Sequence, residues 1–492
     1  MRKPRQSRLA RAGTTKLIEA EVAEAMLDHA EPSVLMTDGY KFSMAQAGFP
    51  LRRETFYLSF RKPGSYYIPF DFSILIRELL PDNINVNEHS FLNDMGYKMT
   101  DAMSHAMCQD IEVWAAPAGT WVKEREPILT VTGPSFLVSW LEPLVIAFHF
   151  PIQIATHAKL TGTALHHCTC NSERDIIHHT LEAIEFNNTY ALTPDADAYL
   201  DSVRKNADAL VDVVGADRIF EVGMRGATCL EMHRLALWAC RDQGITKTSN
   251  VWGSWRDGMD AVGTTGHEHQ QRWGYNDLDG FRAIRDMRPQ PPSYLFDTYN
   301  AMELGIPAAI MAMLERPDLA HGVRFDERKH LEPQLRKYVE AESNGIRPMY
   351  TFMDGISAEG AREIELLCET LDINPDRGRY GSGGFLVCDP APTEFTRNRV
   401  SAVYKLCQTS DRDVMKIACP GKESLPGKPV IFRSDDGKQS LVGQDYESAP
   451  KGFHPICPTD TKPPESTGLT TQMDCAVQDA RKEVRLRMEG GR

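Results

Sequence analysis

From about residue 215 the chain takes on a rhythm that constrains its fold more than any other feature. Short runs of β-forming residues alternate with helical stretches, and a polar residue stands at the end of each run. "RIFEVGMRG" leads into "ATCLEMHRLALWACRDQG", "SYLFDTYN" into "AMELGIPAAIMAML", and "HGVRFDERK" into a charged helical stretch. "RPMYTFMDG" leads into "ISAEGAREIELLCETLD", and "GRYGSGGFL" closes the series. Strands separated by helix-length segments pair in parallel, with the helices packed on the sheet, open or closed into a barrel. The fold class expected is therefore α/β, with an irregular, TIM-like α/β barrel. In such a barrel the strand ends converge on one mouth, where binding residues collect. Arg225, Asp297, Arg324, Asp326 and Asp354 all fall at those ends. One Asp there is ordinarily a helix N-cap. Four loops carrying Arg or Asp at the same place point to a site.

The rest of the chain frames this barrel. "KLIEAEVAEAMLDH" (16–29) has helical spacing and stops before Pro32, and "ETFYLSFRK" (54–62) alternates like a half-buried strand. Residues 111–134 read as a small antiparallel β unit, and the apolar stretch 135–165 as buried helices. "SAVYKLCQ" (401–408) is strand-like, and the tail "AVQDARKEVRLRMEGGR" reads as a surface helix that frays. The division expected is a basic tail and helix at 1–30, a mixed α+β domain at 31–165, the barrel at 166–400, and a segment at 401–492 packing back on the N-terminal domain. The opening "MRKPRQSRLARAGTTK" holds six basic residues and no acid, which suits a disordered tail or a transit peptide.

Composition narrows the function. The net charge of −13 argues against a broad nucleic-acid surface but leaves room for a small anion pocket. No apolar run approaches the ~20 residues of a membrane helix, so no membrane partner is expected. Eleven cysteines in 492 residues suit reduced thiols in the cytoplasm.

Several stretches could carry chemistry. Gly381, Gly383 and Gly384 in "RYGSGGFL" would let backbone N–H groups approach a phosphate, although glycine clusters are commonly turns. No P-loop and no dinucleotide-binding glycine motif occurs. The aspartates suit sugar hydroxyls or Mg²⁺. "LHHCTCNSERDIIHH" (165–179) could bind zinc, but its Cys-x-Cys and adjacent-His spacings favour ordinary surface or core histidines. "AVGTTGHEHQQRWG" (261–274) ends a short strand in a turn of small residues and then presents His267, Glu268 and His269. A histidine there can be a base, a ligand or a phosphoryl acceptor.

The order of motifs then identifies a resemblance. "MTDGYKFSMAQAGF" (36–49), "FEVGMRGA" (220–227), "KTSNVWG" (247–253) and "VGTTGHEH" (262–269) resemble motifs of the nicotinate phosphoribosyltransferases. "LFDTYN", "GVRFD", "TFMDGIS", "YGSGGFL", "AVYKL" and "LPGKPVIFR" follow in the same order, so the likeness covers roughly residues 33–435. It implies a type II phosphoribosyltransferase fold with a mixed N-terminal domain, and a homodimer with shared active sites. It also implies a cytoplasmic enzyme of NAD salvage that makes nicotinate mononucleotide from nicotinate and phosphoribosyl pyrophosphate. Mg²⁺ and ATP as co-substrate belong to that reaction.

Carried onto this chain, the resemblance gives each residue a role. Tyr40 would stack on the pyridine, in the neighbouring subunit's site, and Arg225 would face its carboxylate or the ribose phosphate. Arg324 and Asp326 would bracket the substrate, Asp354 would hold ribose hydroxyls, and Asp297 is counted among the substrate-binding residues. Gly383 and Gly384 would cradle the 5′-phosphate, and Lys405 would reach the pyrophosphate side. His267 would accept phosphoryl from ATP, with His269 as the fallback. Ser249 stands where the related nicotinamide enzymes place an Asp, and a hydroxyl that donates to a carboxylate favours nicotinate.

The chain departs from the family at Gly226, in place of a second Arg, and at Glu327, Arg328 and Lys329, in place of Ser-Gly-Asp. Met353 and Lys247 each stand in place of a glycine. The last three departures put side chains where the family keeps backbone near phosphate. Two alternatives stay open at this point: a nicotinamide phosphoribosyltransferase, and a catalytically weak or dead relative with a binding or regulatory role.

Overall fold

The computed structural model describes residues 32–81, 84–161, 196–227, 230–287, 291–387, 401–410, 412–418, 422–444, 449–458 and 469–490. The helix expected at 16–29 and the Cys/His-rich stretch 165–179 lie outside them.

The first layer is an antiparallel sheet built around β1 (Arg53–Phe60). The next three strands are β2 (Ser65–Tyr67), β3 (Glu112–Ala115) and β4 (Trp121–Lys123). β1 pairs on one side with β5 (Leu129–Pro134), which in turn pairs with β3. β4 leaves this unit and pairs with β2 instead. Being central, β1 is buried on both faces from Glu54 onward, so the expected alternation of exposed and buried positions does not hold. Its polar side chains are satisfied internally: Thr55 meets Thr132 at 2.9 Å, and Glu54 takes a double hydrogen bond from Arg272 at 3.0–3.1 Å. The apolar stretch after β5 forms three successive helices, Ser135–Trp140, Glu142–Ala147 and His149–Thr161, the first two buried in this core.

The second layer is a curled parallel sheet of seven short strands. In chain order they are β6 (Ile219–Glu221), β7 (Lys247–Thr248), β8 (Asp260–Ala261), β9 (Ser293–Leu295), β10 (Gly322–Phe325), β11 (Met349–Phe352) and β12 (Gly378–Ser382). Their spatial order is β8-β7-β6-β12-β11-β10-β9. Successive strands from β6 to β8 and from β9 to β12 are neighbours, and β12 returns to pair with β6, as a barrel requires; among the described residues β8 and β9 do not pair with each other, so the barrel is open along one seam. Helices cover its outer side, and an aromatic chain of Phe296, Phe325, Phe352 and Tyr380 lies against it.

The chain then returns to the first layer. β13 (Ala402–Thr409) pairs antiparallel with β1 and carries β14 (Arg412–Asp413) on its outer edge. A three-stranded sheet of β15 (Val430–Ser434), β16 (Ser440–Gly443) and β17 (Phe453–Pro455) follows. It is tied back by Arg433, which donates to Glu126 at 3.0 Å. The terminal helix Leu469–Gly490 is more than a fraying surface element, because Val477, Ala480 and Val484 pack on Tyr299, Met415 and Ile417. Among the described residues no helix is long and apolar enough to cross a membrane.

Candidate active site

The seam between β8 and β9 is where the turn Gly263–Gly266 lies. Arg324 at the end of β10 donates to the Thr264 hydroxyl and the Thr265 carbonyl, each at 2.7 Å, and the Thr265 hydroxyl reaches the Ser293 carbonyl at 3.4 Å. From the other layer the start of the helix Gly39–Ala47 presses against the same turn. A Cβ at Gly263 would lie 2.8 Å from the Tyr40 backbone nitrogen, and one at Gly266 3.2 Å from the Tyr40 ring. The glycines are required because two backbones meet there.

The helix His267–Trp273 starts directly after this turn. It is anchored below by the buried Arg272–Glu54 pair and above by what surrounds His267. His267 Nδ1 meets the Thr298 hydroxyl at 3.1 Å, and its Nε2 meets Lys416 Nζ at 2.6 Å. Asp326 and Asp297 carboxylate oxygens lie 3.6 and 3.8 Å from the same Nε2. A lysine ammonium can only donate, so Nε2 is the lone-pair nitrogen and Nδ1 carries the proton. Burial, reinforced by the Lys416 charge, pushes the imidazole down to about 4 against the pull of the two aspartates. At neutral pH the ring is uncharged with a nucleophilic nitrogen facing the mouth.

The aspartates are held ionised. Asp326 takes both arms of the Arg324 fork at 2.7 Å, which outweighs its burial and keeps it well below the usual range. Asp297 is likewise lowered, against burial, by Lys416 at 2.9 Å and by His267. One donor atom from each of His267, Asp297 and Asp326 falls within 4.8 Å of the others. Lys422 donates to the Asp326 carbonyl at 2.8 Å and pairs with Asp354 at 3.0 Å, so Asp354 joins the same mouth. Asp354 itself has φ 79° at the strand exit, a left-handed backbone that is costly for a residue with a side chain.

On the opposite side of the Gly263–Gly266 turn lies a buried ionic group. Lys41, 1% exposed, sits 2.6 Å from both Glu142 and Glu268. Glu142 also accepts from the Tyr40 hydroxyl at 2.9 Å and from Arg225 at 3.3 Å. Arg225 further approaches Asp38 at 4.0 Å, and its charge is stabilised by Tyr40, Glu142, Asp38 and Asp326. Arg225 thus stands between the carboxylate group and the His267 group. Lys405 on β13 is pushed down to about 7 by burial and by Arg61, Arg225 and Lys416, with Glu142 opposing.

Of the residues anticipated from sequence, His267, Asp297, Arg324, Asp326 and Asp354 meet at one mouth, with Tyr40, Arg225, Ser249 and Lys405 on its inner side. Four expectations change. Ser249 donates its hydroxyl to Asp38 at 2.7 Å, so that hydroxyl is engaged within the protein and does not await a carboxylate. His269 is buried with Nε2 on the Gly280 carbonyl at 2.7 Å, which makes it structural. Lys247, Arg328 and Lys329 turn away from the mouth: Lys247 donates to the Asp217 carbonyl at 2.8 Å, Arg328 pairs with Glu363, and Lys329 is exposed. Glu363, on the helix Ala358–Thr370, draws Arg328 outward. Met353 is buried against the Gly381 face of β12. Gly383 is set by packing, since a Cβ there would lie 3.1 Å from the Val222 carbonyl, and Gly384 opens the short helix Gly384–Val387.

Reasoning from sequence missed Asp38, Lys41, Glu142, Lys416 and Lys422. The lysines of "RDVMKIACPGKESLPGKP" stand in an irregular segment with no period to mark a face. The mouth continues from Asp297 into a cavity of about 1060 Å³ bounded by Met302, Glu327, Ile417 and Arg481.

No protein-family model matches the chain. Nicotinate phosphoribosyltransferase 1 of Arabidopsis thaliana is 24% identical over 439 residues, covering 81% of this chain and 74% of that protein. Nicotinate phosphoribosyltransferase 2 of the same plant is 23% identical over 446 residues, with the same coverage of 81% and 74%. The solved nicotinate phosphoribosyltransferase of Porphyromonas gingivalis superposes with a TM-score of 0.57 at 18% identity, over 80% of this chain and 95% of that one. That of Vibrio cholerae gives 0.57 at 18%, over 81% and 91%. The chain is thus similar to nicotinate phosphoribosyltransferases over about four-fifths of its length. Its half-open barrel and mixed N-terminal layer match the type II phosphoribosyltransferase fold of these solved structures.

Proposed function

We propose that the chain transfers the ribosyl group of phosphoribosyl pyrophosphate to nicotinate, with ATP hydrolysis coupled through a phosphohistidine at His267, in NAD salvage. The observation that carries this reading is the neutral imidazole at the mouth of a parallel half-barrel, its Nε2 facing Lys416, Asp297 and Asp326. The names of the Arabidopsis relatives support the base and the reaction. In the transfer, the C1–O bond to pyrophosphate breaks and takes its electron pair with it. The pyridine nitrogen donates a pair to C1. Lys416 and Lys422 present positive charge where the leaving group gains negative charge. In the coupled step, His267 Nε2 attacks the γ-phosphorus of ATP and the bond to the bridging oxygen breaks, releasing ADP. Water then cleaves the P–N bond and frees phosphate. Thr298 holds the Nδ1 proton throughout.

Mg²⁺ fits the Asp297 and Asp326 oxygens as a cation arriving with substrate phosphates, which is how Mg²⁺ is commonly held. It would neutralise phosphate charge; the close Lys416 ammonium argues against a resident ion bound by these side chains alone. A homodimer is part of this reading by family likeness.

The test is mononucleotide formation by purified protein with phosphoribosyl pyrophosphate and Mg²⁺, with and without ATP. His267→Ala is expected to lose ATP stimulation and keep basal turnover. An unchanged ATP response rules His267 out as the acceptor. A second reading takes nicotinamide as the base. It is favoured by Ser249 being bonded to Asp38 and by Arg225 lying between Glu142 and Asp38, which leaves less positive charge for a carboxylate. Competition between the two bases in the same assay separates them.

A further inference from the structure

Between Arg225 and His267 runs a continuous chain of buried charges that the proposed chemistry does not itself use. Glu142 is shared by Tyr40, Lys41 and Arg225. Lys41 is shared by Glu142 and Glu268, both at 2.6 Å. Glu268 accepts a further bond from Ser139 at 3.0 Å and occupies the first turn of the helix that His267 begins. Lys41 is 1% exposed and Glu268 7%, so water screens neither contact.

We propose that Lys41 is a positioning residue that couples the base side of the site to the phosphate side. The inference rests on the function proposed above and names how its two halves communicate. An anionic ligand that draws Arg225 from Glu142 leaves Lys41 as the principal cation of that carboxylate. The Lys41–Glu142 contact then strengthens at the expense of Lys41–Glu268. Glu268 is freed to shift, and with it the first turn that aims His267. Run in reverse, a ligand that fixes the His267 turn tightens Lys41–Glu268 and loosens Arg225 for the base. The coupling is reciprocal, as linkage requires.

The experiment uses the whole protein and the variants Lys41→Met, Lys41→Arg and Glu268→Gln, each first checked for a native circular dichroism spectrum. Calorimetry measures the affinity for inorganic pyrophosphate with and without nicotinate, and a parallel assay gives the KM for nicotinate and the ATP stimulation. In the wild type the two ligands are expected to alter one another's affinity by about fivefold or more. Lys41→Met is expected to bring that factor to one, to raise the KM for nicotinate and to depress ATP stimulation together. Lys41→Arg is expected to restore part of all three, and Glu268→Gln to depress ATP stimulation while leaving the KM for nicotinate within about twofold. A folded Lys41→Met that keeps the wild-type coupling factor overturns the inference, as does one that loses only thermal stability. A wild type that shows coupled binding but forms no mononucleotide overturns the catalytic reading and leaves the role of Lys41 standing.

Discussion

Replacing Lys416 by methionine tests the electrostatics of the site most directly. The change keeps the side chain out to Cε and removes the Nζ charge 2.6 Å from His267 Nε2. In the wild type the imidazole is pushed from 6.5 down to about 4, a difference of 2.5 units. At 1.36 kcal/mol per unit this is about 3.4 kcal/mol against the protonated ring. Burial supplies the largest part and remains in the variant; the Lys416 contribution disappears, while Asp297 and Asp326 still pull upward. The midpoint should therefore rise from about 4 toward 6.5, by less than the full 3.4 kcal/mol because burial persists. A phosphoryl acceptor must be unprotonated, so ATP stimulation should stay level from pH 8 to about 6 in the wild type and fall only toward pH 4 to 5. In Lys416→Met the falling limb should move toward neutral pH. The assay is initial-rate mononucleotide formation with and without ATP across pH, alongside a proton NMR titration of the His267 ring, assigned by its loss in His267→Ala. A ring that titrates at the wild-type pH in Lys416→Met refutes the placement of the Lys416 charge on Nε2.

Three further outcomes follow from the same geometry. Gly263→Ala forces a Cβ to 2.8 Å from the Tyr40 backbone nitrogen and should cost about 1–3 kcal/mol, read as a lower midpoint in denaturant with the slope unchanged. Arg272→Met removes the buried partner that makes a double hydrogen bond to Glu54, leaves Arg52 at 3.0 Å, and should cost about 1–3 kcal/mol in the same measurement; an unchanged midpoint would mean that Arg52 alone satisfies the carboxylate. His267 and His269 are both held at about 4 in the fold, so the unfolded chain takes up their protons first as pH falls below 6.5. Stability contributed by their neutral forms is complete above 6.5 and is lost between 6.5 and 4, about 3 kcal/mol for each; a melting temperature flat across that window would contradict their burial.

The residues themselves determined the order and kind of elements in the second layer. Runs such as "HGVRF" and "RPMYTF" can bury only as strands between helices, and the polar residue after each must sit at a strand exit. Arg225, Asp297, Asp326 and Asp354 were legible for that reason, and His267 for its glycine-framed turn. Only the tertiary structure decided that β8 and β9 stay apart, that the Gly263–Gly266 turn fills the seam, and that Lys416 reaches His267 across 149 residues of chain. It also decided that Ser249 bonds to Asp38 and that Lys41 bridges Glu142 and Glu268. Periodicity reports which face of an element is apolar, because that depends on neighbours three or four residues away. Which charge meets which depends on where distant backbones cross, and no local pattern encodes that crossing.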